Sequence, residues 1–126
     1  INKVIKAKNL NYEKLLKSCD IGLSTVIAQK KLMTKFKFPN LLTKEDFVVW
    51  LSIAKKNIEM KGINQNLCLW RKSPNSLSSS QFQKIFDAFR VYYSFEKKNI
   101  FISIFLTLRL SFNFFIKYYL NIEKRI

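Results

Sequence analysis

The sequence predicts an α/β fold followed by a long amphipathic helix. Three observations carry that reading. A β-branched, apolar run from Ile21 to Ala28 has the composition of a buried strand. Thr43-Lys44-Glu45-Asp46 stands before apolar residues at helical spacing. Ile100 to Leu120 sorts its polar residues onto one half of a helix at about 100° per residue.

In chain order, Asn11 to Ser18 reads as a short helix with Tyr12, Leu15 and Leu16 on one side and Lys14 and Lys17 on the other. Cys19-Asp20 leads into the predicted strand. Gln29 to Met33 reads as a helical turn, and Lys35 to Asn40 as a loop punctuated by Pro39. Thr43 is expected to cap the next helix, which carries Phe47, Trp50, Leu51 and Ala54 inward and fades near Asn57. Leu67-Cys68-Leu69-Trp70 reads as a second strand, and Ser73-Pro74-Asn75-Ser76 as a turn. A helix is expected from Ser78 to Lys98, capped by Ser78 or Ser80, with Phe82, Ile85, Phe86, Phe89 and Tyr93 on its inner stripe. In the last helix, Ser103, Thr107, Arg109, Ser111, Asn113 and Lys117 share the polar half. Phe101, Ile104, Phe105, Leu108, Phe112, Phe115 and Tyr119 form the other.

Composition narrows the chemistry. The 126 residues suit one domain or part of one, and 48% of them are hydrophobic, ample for a core. The chain opens on Ile1 rather than Met, and a piece of a longer protein is expected. A net charge of +15 admits acidic substrates, anionic membranes or nucleic acid as partners. The lysines are scattered and no nucleic-acid-binding motif accompanies them, so no nucleic-acid partner is expected. There are no histidines, which excludes imidazole bases and His-ligated metals; a base here must be a carboxylate. Cys19 and Cys68 lack metal-ligand spacing and read as free thiols of a reducing compartment.

Three constellations could carry function. Glu45-Asp46 opens a helix. Such acids complement the helix dipole and free N–H groups, or else present a general base at the lip of a pocket. The dipole is expected to lower the pKa of Asp46. Arg71, with Asn75, Ser76 and Ser78 near a helix start, suits a phosphate or is an ordinary serine-rich turn. The C-terminal helix has nearly the length of a span, about 20 residues. Arg109 at its middle costs about 2.5–3.5 kcal/mol on insertion scales, which favours a surface helix. Lys117, Lys124 and Arg125 beside Tyr118 and Tyr119 suit an anionic membrane surface.

These features occur in one order: Ile21-Gly22-Leu23-Ser24-Thr25-Val26, then Thr43-Lys44-Glu45-Asp46-Phe47-Val48-Val49-Trp50-Leu51, then Gly62, then Trp70-Arg71, then Asn75-Ser76-Leu77-Ser78. Over roughly residues 10 to 98 the pattern resembles the C-terminal half of bacterial family 2 glycosyltransferases. Those enzymes show Glu-Asp-aromatic-x-x-Trp-Leu followed by aromatic-Arg-x-x-x-x-Ser-x-Ser.

The resemblance implies the C-terminal part of a GT-A fold, a mixed sheet flanked by helices. By that resemblance residues 1–98 would form the acceptor and catalytic-base portion, while residues 99–126, beyond the match, read from their own pattern as an amphipathic, membrane-surface helix. It implies an inverting transfer of sugar from a nucleotide-diphosphate donor to a lipid-linked or glycan acceptor in surface-polysaccharide synthesis. A divalent metal, Mg or Mn, is implied for the complete enzyme. By the same resemblance Asp46 is the base, Glu45 and Trp50 lie on the acceptor side, and Arg71, Ser76 and Ser78 line the donor diphosphate. The place of action would be cytoplasmic, at the inner face of the membrane. One departure is plain: the chain contains no Asp-x-Asp, the family's metal-binding motif. The donor half and its metal site are therefore expected outside this chain, which alone would be inactive. The other reading is a small basic protein that interacts with membrane surfaces without catalysis.

Overall fold

A computed structural model of the chain describes residues 7–69 and 80–119, the last three of these by backbone alone. Among them lie five α-helices: α1 (Tyr12–Lys17), α2 (Lys30–Met33), α3 (Glu45–Lys55), α4 (Gln81–Arg90) and α5 (Ile100–Tyr119). A 3-10 turn stands at Leu23–Thr25, and α4 runs on into a π-helical turn at Val91–Phe95.

Three of the helices begin where a polar side chain meets a free N–H group. The Asn11 side chain accepts from the Lys14 N–H at 3.0 Å and opens α1. Ser80, one of the two serines expected to do so, accepts from the Gln83 N–H at 3.3 Å and caps α4. Asn99 accepts from the Ile102 N–H at 2.8 Å at the head of α5.

The core sits around α3. Phe47, Val49, Trp50, Leu51, Ile53 and Ala54 are buried, and Leu15 and Leu16 of α1 join them with Ala88, Val91 and Tyr92. Phe47 meets the Tyr92 ring edge-on, with centroids 6.0 Å apart. The buried Tyr92 hydroxyl donates to the Leu16 carbonyl at 2.9 Å, so its polar tip is satisfied.

The expected GT-A mixed sheet is not what the chain forms. Among the described residues the only strand-like pairing is a single antiparallel bridge, Leu10 to Met60, whose N–H to O distance is 3.1 Å. A strand buried on both faces needs a hydrogen-bonded neighbour on each side. The Ile21 to Ala28 run has none; it breaks into the Leu23–Thr25 turn, and Ile27 is 93% exposed. The second predicted strand is likewise unpaired over Leu67 to Leu69, which are exposed, while Trp70 lies outside the described residues.

Gly62 belongs to this bridged region. A Cβ there would come within 2.5 Å of the Lys8 backbone nitrogen, so only glycine permits the close approach of the two segments. The Asn9 side chain accepts from the Gly62 N–H at 3.0 Å beside it.

The helical hairpin of α4 and α5 reverses the expected inner stripe of α4 and turns the polar side of α5 inward. Phe82, Ile85, Phe86 and Tyr93, read as the inner stripe of α4, all point to solvent, Phe82 at 88% exposure. The opposite face, with Asp87, Ala88 and Val91, packs inward. In α5 the buried positions are Ser103, Thr107 and Leu110, whereas Phe101, Ile104, Phe105, Leu108, Phe112 and Phe115 are exposed. Burial of the polar side is possible because the hydroxyls satisfy themselves. Ser103 donates to the Asn99 carbonyl at 2.8 Å, Thr107 to Ser103 at 2.7 Å and Ser111 to Thr107 at 2.9 Å. What these side chains then present to the body is small, and the helix can lie close.

Candidate functional site

The site is built on the first turn of α3. Thr43, expected as the cap, does not cap. Its backbone N–H and its hydroxyl both donate to Asp87 Oδ2, at 2.9 and 2.8 Å. Lys44 occupies the cap position with φ 66°, in the left-handed region, and offers no side-chain cap. A left-handed Lys costs about 1–2 kcal/mol relative to ordinary backbone. The strain is offset by the paired Thr43 on one side and the buried Phe47 on the other.

Asp46 thus faces N–H groups that no cap residue has taken. The backbone N–H groups of Phe47 and of Asp46 itself favour its charged form. Asp46 and Glu45 are both half-buried. The pKa of Asp46 moves opposite to the expectation from the helix dipole. Burial raises it above the ordinary carboxylate value, the Glu45 charge raises it further, and the backbone N–H groups and Lys44 oppose without prevailing. A carboxylate held this way is a stronger proton acceptor than an exposed one.

Beside it stands Cys19, whose half-buried thiol feels Lys44, Asp46 and Asp20. Burial pushes it up to about 11, with Lys44 opposing. At neutral pH it is a neutral thiol and no nucleophile. Asp20 accepts from the Ser18 hydroxyl at 2.7 Å.

The floor beneath the turn is apolar. Phe47 and Trp50 are buried, so Trp50 is reached from the core rather than from solvent. The Trp50 indole N–H is buried without a hydrogen-bond partner among the described residues. Arg71, Ser76 and Ser78, the proposed diphosphate contacts, lie outside the described residues, as do Lys124 and Arg125.

Asp87 is the anchor that spacing did not reveal. It is fully buried and also accepts from the Gln83 side chain at 2.9 Å, with Arg90 3.6 Å from Oδ1. Burial alone would raise its pKa; the hydrogen bonds from Gln83 and Thr43 outweigh that and hold it below the usual carboxylate value. The available signal was the row Gln83, Asp87, Arg90 on one helix side. A second buried acid, Glu96, accepts from the Tyr12 hydroxyl and pairs with Lys55 Nζ at 2.8 Å, tying α1 to the end of α3. Burial and the Glu96 carboxylate raise the Tyr12 hydroxyl pKa.

Among the described residues no group of three His, Cys, Asp or Glu side chains could hold a metal ion.

Comparison with known proteins agrees with the motif. The chain is 38% identical over 87 residues to the UDP-Glc:alpha-D-GlcNAc-diphosphoundecaprenol beta-1,3-glucosyltransferase WfgD of Escherichia coli, covering 68% of this chain and 34% of that protein. It is 32% identical over 98 residues to the putative teichuronic acid biosynthesis glycosyltransferase TuaG of Bacillus subtilis, covering 77% and 39%. A second Escherichia coli beta-1,3-glucosyltransferase, WfaP, is 33% identical over 76 residues, covering 60% and 30%. The matches thus span about a third of the length of these curated relatives. No family model matches the chain, and no solved structure matches it.

Proposed function

We propose, with homology to bacterial glycosyltransferases as the premise, that this chain supplies the catalytic base of a sugar-transfer enzyme in surface-polysaccharide synthesis. The donor would be a nucleotide-diphospho-sugar and the acceptor a lipid-linked glycan, as the names of WfgD and WfaP indicate for those proteins. The observation that carries the reading is Asp46: an ionisable group half-buried at the head of α3, with its pKa raised by burial and by Glu45.

In the proposed step the acceptor hydroxyl attacks the anomeric carbon while Asp46 takes its proton. The bond to the nucleotide diphosphate breaks with its electron pair leaving on the diphosphate oxygen, and configuration inverts, as in family 2. Glu45 shapes the acceptor side, and Arg71, Ser76 and Ser78 stabilise the departing charge. The donor cradle belongs to residues beyond this chain. Calorimetry with UDP and Mn²⁺ should accordingly show weak binding or none by the 126 residues alone.

The test is Asp46→Asn in a polypeptide that joins this chain to the donor-binding half. Transfer from a UDP-sugar should fall by about 10²–10⁴-fold, the usual contribution of a general base, while Glu45→Gln falls less. Folding should not suffer. A carboxylate with a raised pKa binds its proton more tightly folded than unfolded, so its ionisation lowers stability as pH rises from 3.8 through the folded value. At neutral pH Asp46→Asn should therefore melt no earlier than the parent. Near-normal turnover of this variant would remove Asp46 from the chemistry.

A further inference from the structure

We infer that Asp87 is a positioning residue for Asp46: by accepting both donors of Thr43 it keeps Asp46 out of a capping box at the head of α3. This role rests on the proposed reading of Asp46 as the base, and it accounts for what leaves that base free.

Thr43-Lys44-Glu45-Asp46 has the spacing of a capping box. In such a box the hydroxyl of the first residue accepts from the N–H of the fourth. The acid of the fourth reaches back to the N–H of the first. Closed here, the box would turn Asp46 into a cap. Its carboxylate would be engaged by the Thr43 N–H, and a hydrogen bond to the charged form makes a carboxylate a weaker proton acceptor.

Asp87 occupies the place that Asp46 would take. The Thr43 N–H donates to Asp87 Oδ2 at 2.9 Å, and the Thr43 hydroxyl donates to the same oxygen at 2.8 Å. Both residues are buried, so water does not compete for these bonds. The Gln83 side chain donates to Oδ2 as well, at 2.9 Å. Three donors thus meet on one atom. The other oxygen, Oδ1, has no hydrogen bond among the described residues, and Arg90 lies 3.6 Å from it.

The helix start moves with Thr43. The Val48 N–H donates to the Lys44 carbonyl at 3.3 Å, which makes Lys44 the cap and holds it at φ 66°. With Thr43 as the cap, the Thr43 carbonyl would take the Phe47 N–H. In the observed start that N–H is one of the two that favour the charged form of Asp46. The left-handed Lys44 is the strain that the shorter start carries, and the two bonds to Asp87 hold it in place. Among the described residues, the charged and titratable groups that act on Asp46 are Lys44 and Glu45 on its own turn, and Cys19 from the segment after α1. Asp87 is not one of them, so its influence on Asp46 runs through the Thr43 bonds rather than through its charge.

The test uses the polypeptide that joins this chain to the donor-binding half, isotope-labelled in its aspartate carboxyls and followed by NMR. Asp46 of the parent should titrate above 3.8. Asp87→Ala releases Thr43, so Asp46 should then titrate below 3.8. Its kcat should fall roughly 10–100-fold with KM nearly unchanged, a part of what a general base contributes. Asp87→Asn removes the charge but offers an amide oxygen to the same donors. It should keep Asp46 above 3.8 and retain most of the turnover. Adding Thr43→Val to Asp87→Ala takes away the hydroxyl of the box and leaves a poor cap residue. Turnover should then recover although stability does not, whereas a purely structural role for Asp87 would make the double variant worse. An Asp46 titration unmoved by Asp87→Ala would overturn the inference, as would a double variant slower than Asp87→Ala. If Asp87→Ala does not fold, the parent and Asp87→Asn still decide: Asp46 titrating below 3.8 in either overturns the inference. Near-normal turnover of Asp46→Asn would instead remove the base reading, while the titrations still show whether Asp87 governs the turn.

Discussion

Helix α3 and the α4–α5 hairpin are built from similar proportions of large apolar residues and use them in opposite ways. In α3 the phenylalanine and tryptophan are inside. In the hairpin most phenylalanines are outside, and Ser103, Thr107, Asp87 and Ala88 are inside. Hydrophobic bulk therefore does not by itself choose the buried face. In α3 it does, because Phe47, Trp50 and Leu51 fill the space between α1 and the π-helical turn. In the hairpin a different rule applies: the inward side is the one whose polar atoms are already satisfied and whose side chains are small enough for close approach.

Three measurements sharpen or break this contrast. The largest effect is expected from pairing Phe47→Ala with Phe86→Ala. The first empties a fully buried site in the core and should cost about 3–5 kcal/mol. The second trims an exposed ring and should stay within about 0.5 kcal/mol. Equal losses in a urea titration would show that the α4 aromatics are buried after all.

Next is Asp87→Ala, which strands the Thr43 N–H and hydroxyl and the Gln83 amide and should cost about 2–4 kcal/mol at neutral pH. The gap between parent and variant should narrow in acid. A carboxylate whose folded pKa is depressed contributes its stability above the unfolded value, 3.8, and loses it as pH falls through the folded value. A gap that is constant with pH would mean that the charge of Asp87 is immaterial.

The smallest is Ser103→Leu. It raises the hydrophobicity of α5, yet it should destabilise by about 1–3 kcal/mol, because the inward face has no room for the added carbons. An increase in melting temperature would instead point to slack packing beneath α5.

The local signals were legible where they depend on neighbours in sequence. Ser80, one of two caps offered for α4, and the presence of α1, α3 and α5 follow from capping and periodicity. The Glu45-Asp46 pair was legible as a candidate for the same reason. What spacing could not supply was tertiary choice. Thr43 reads as a cap until Asp87, 44 residues away, claims both of its donors. Asp46 reads as lowered by the helix dipole until burial and Glu45 outweigh it. The stripe Phe82, Ile85, Phe86 has helical spacing as good as any core stripe, and only the partner surface decides that the side bearing Asp87 and Ala88 goes inward. Ile21 to Ala28 has strand composition, but a strand also needs partners, and composition does not contain them.

The clasp around α1 has a consequence for how the chain comes into being. α1 is six residues long, too short to persist in water alone. Three of the bonds that hold its neighbourhood reach far along the chain: the Tyr12 hydroxyl to Glu96, the Tyr92 hydroxyl to the Leu16 carbonyl, and the Asn113 amide to the Lys17 carbonyl at 2.7 Å. The last spans 96 residues. At about 5–20 residues per second of synthesis, Lys17 waits roughly 5–20 s for Asn113 to be made. During that interval the α1 segment gains its partners in turn, first α3, then Tyr92 and Glu96, and its last tie forms only when α5 emerges.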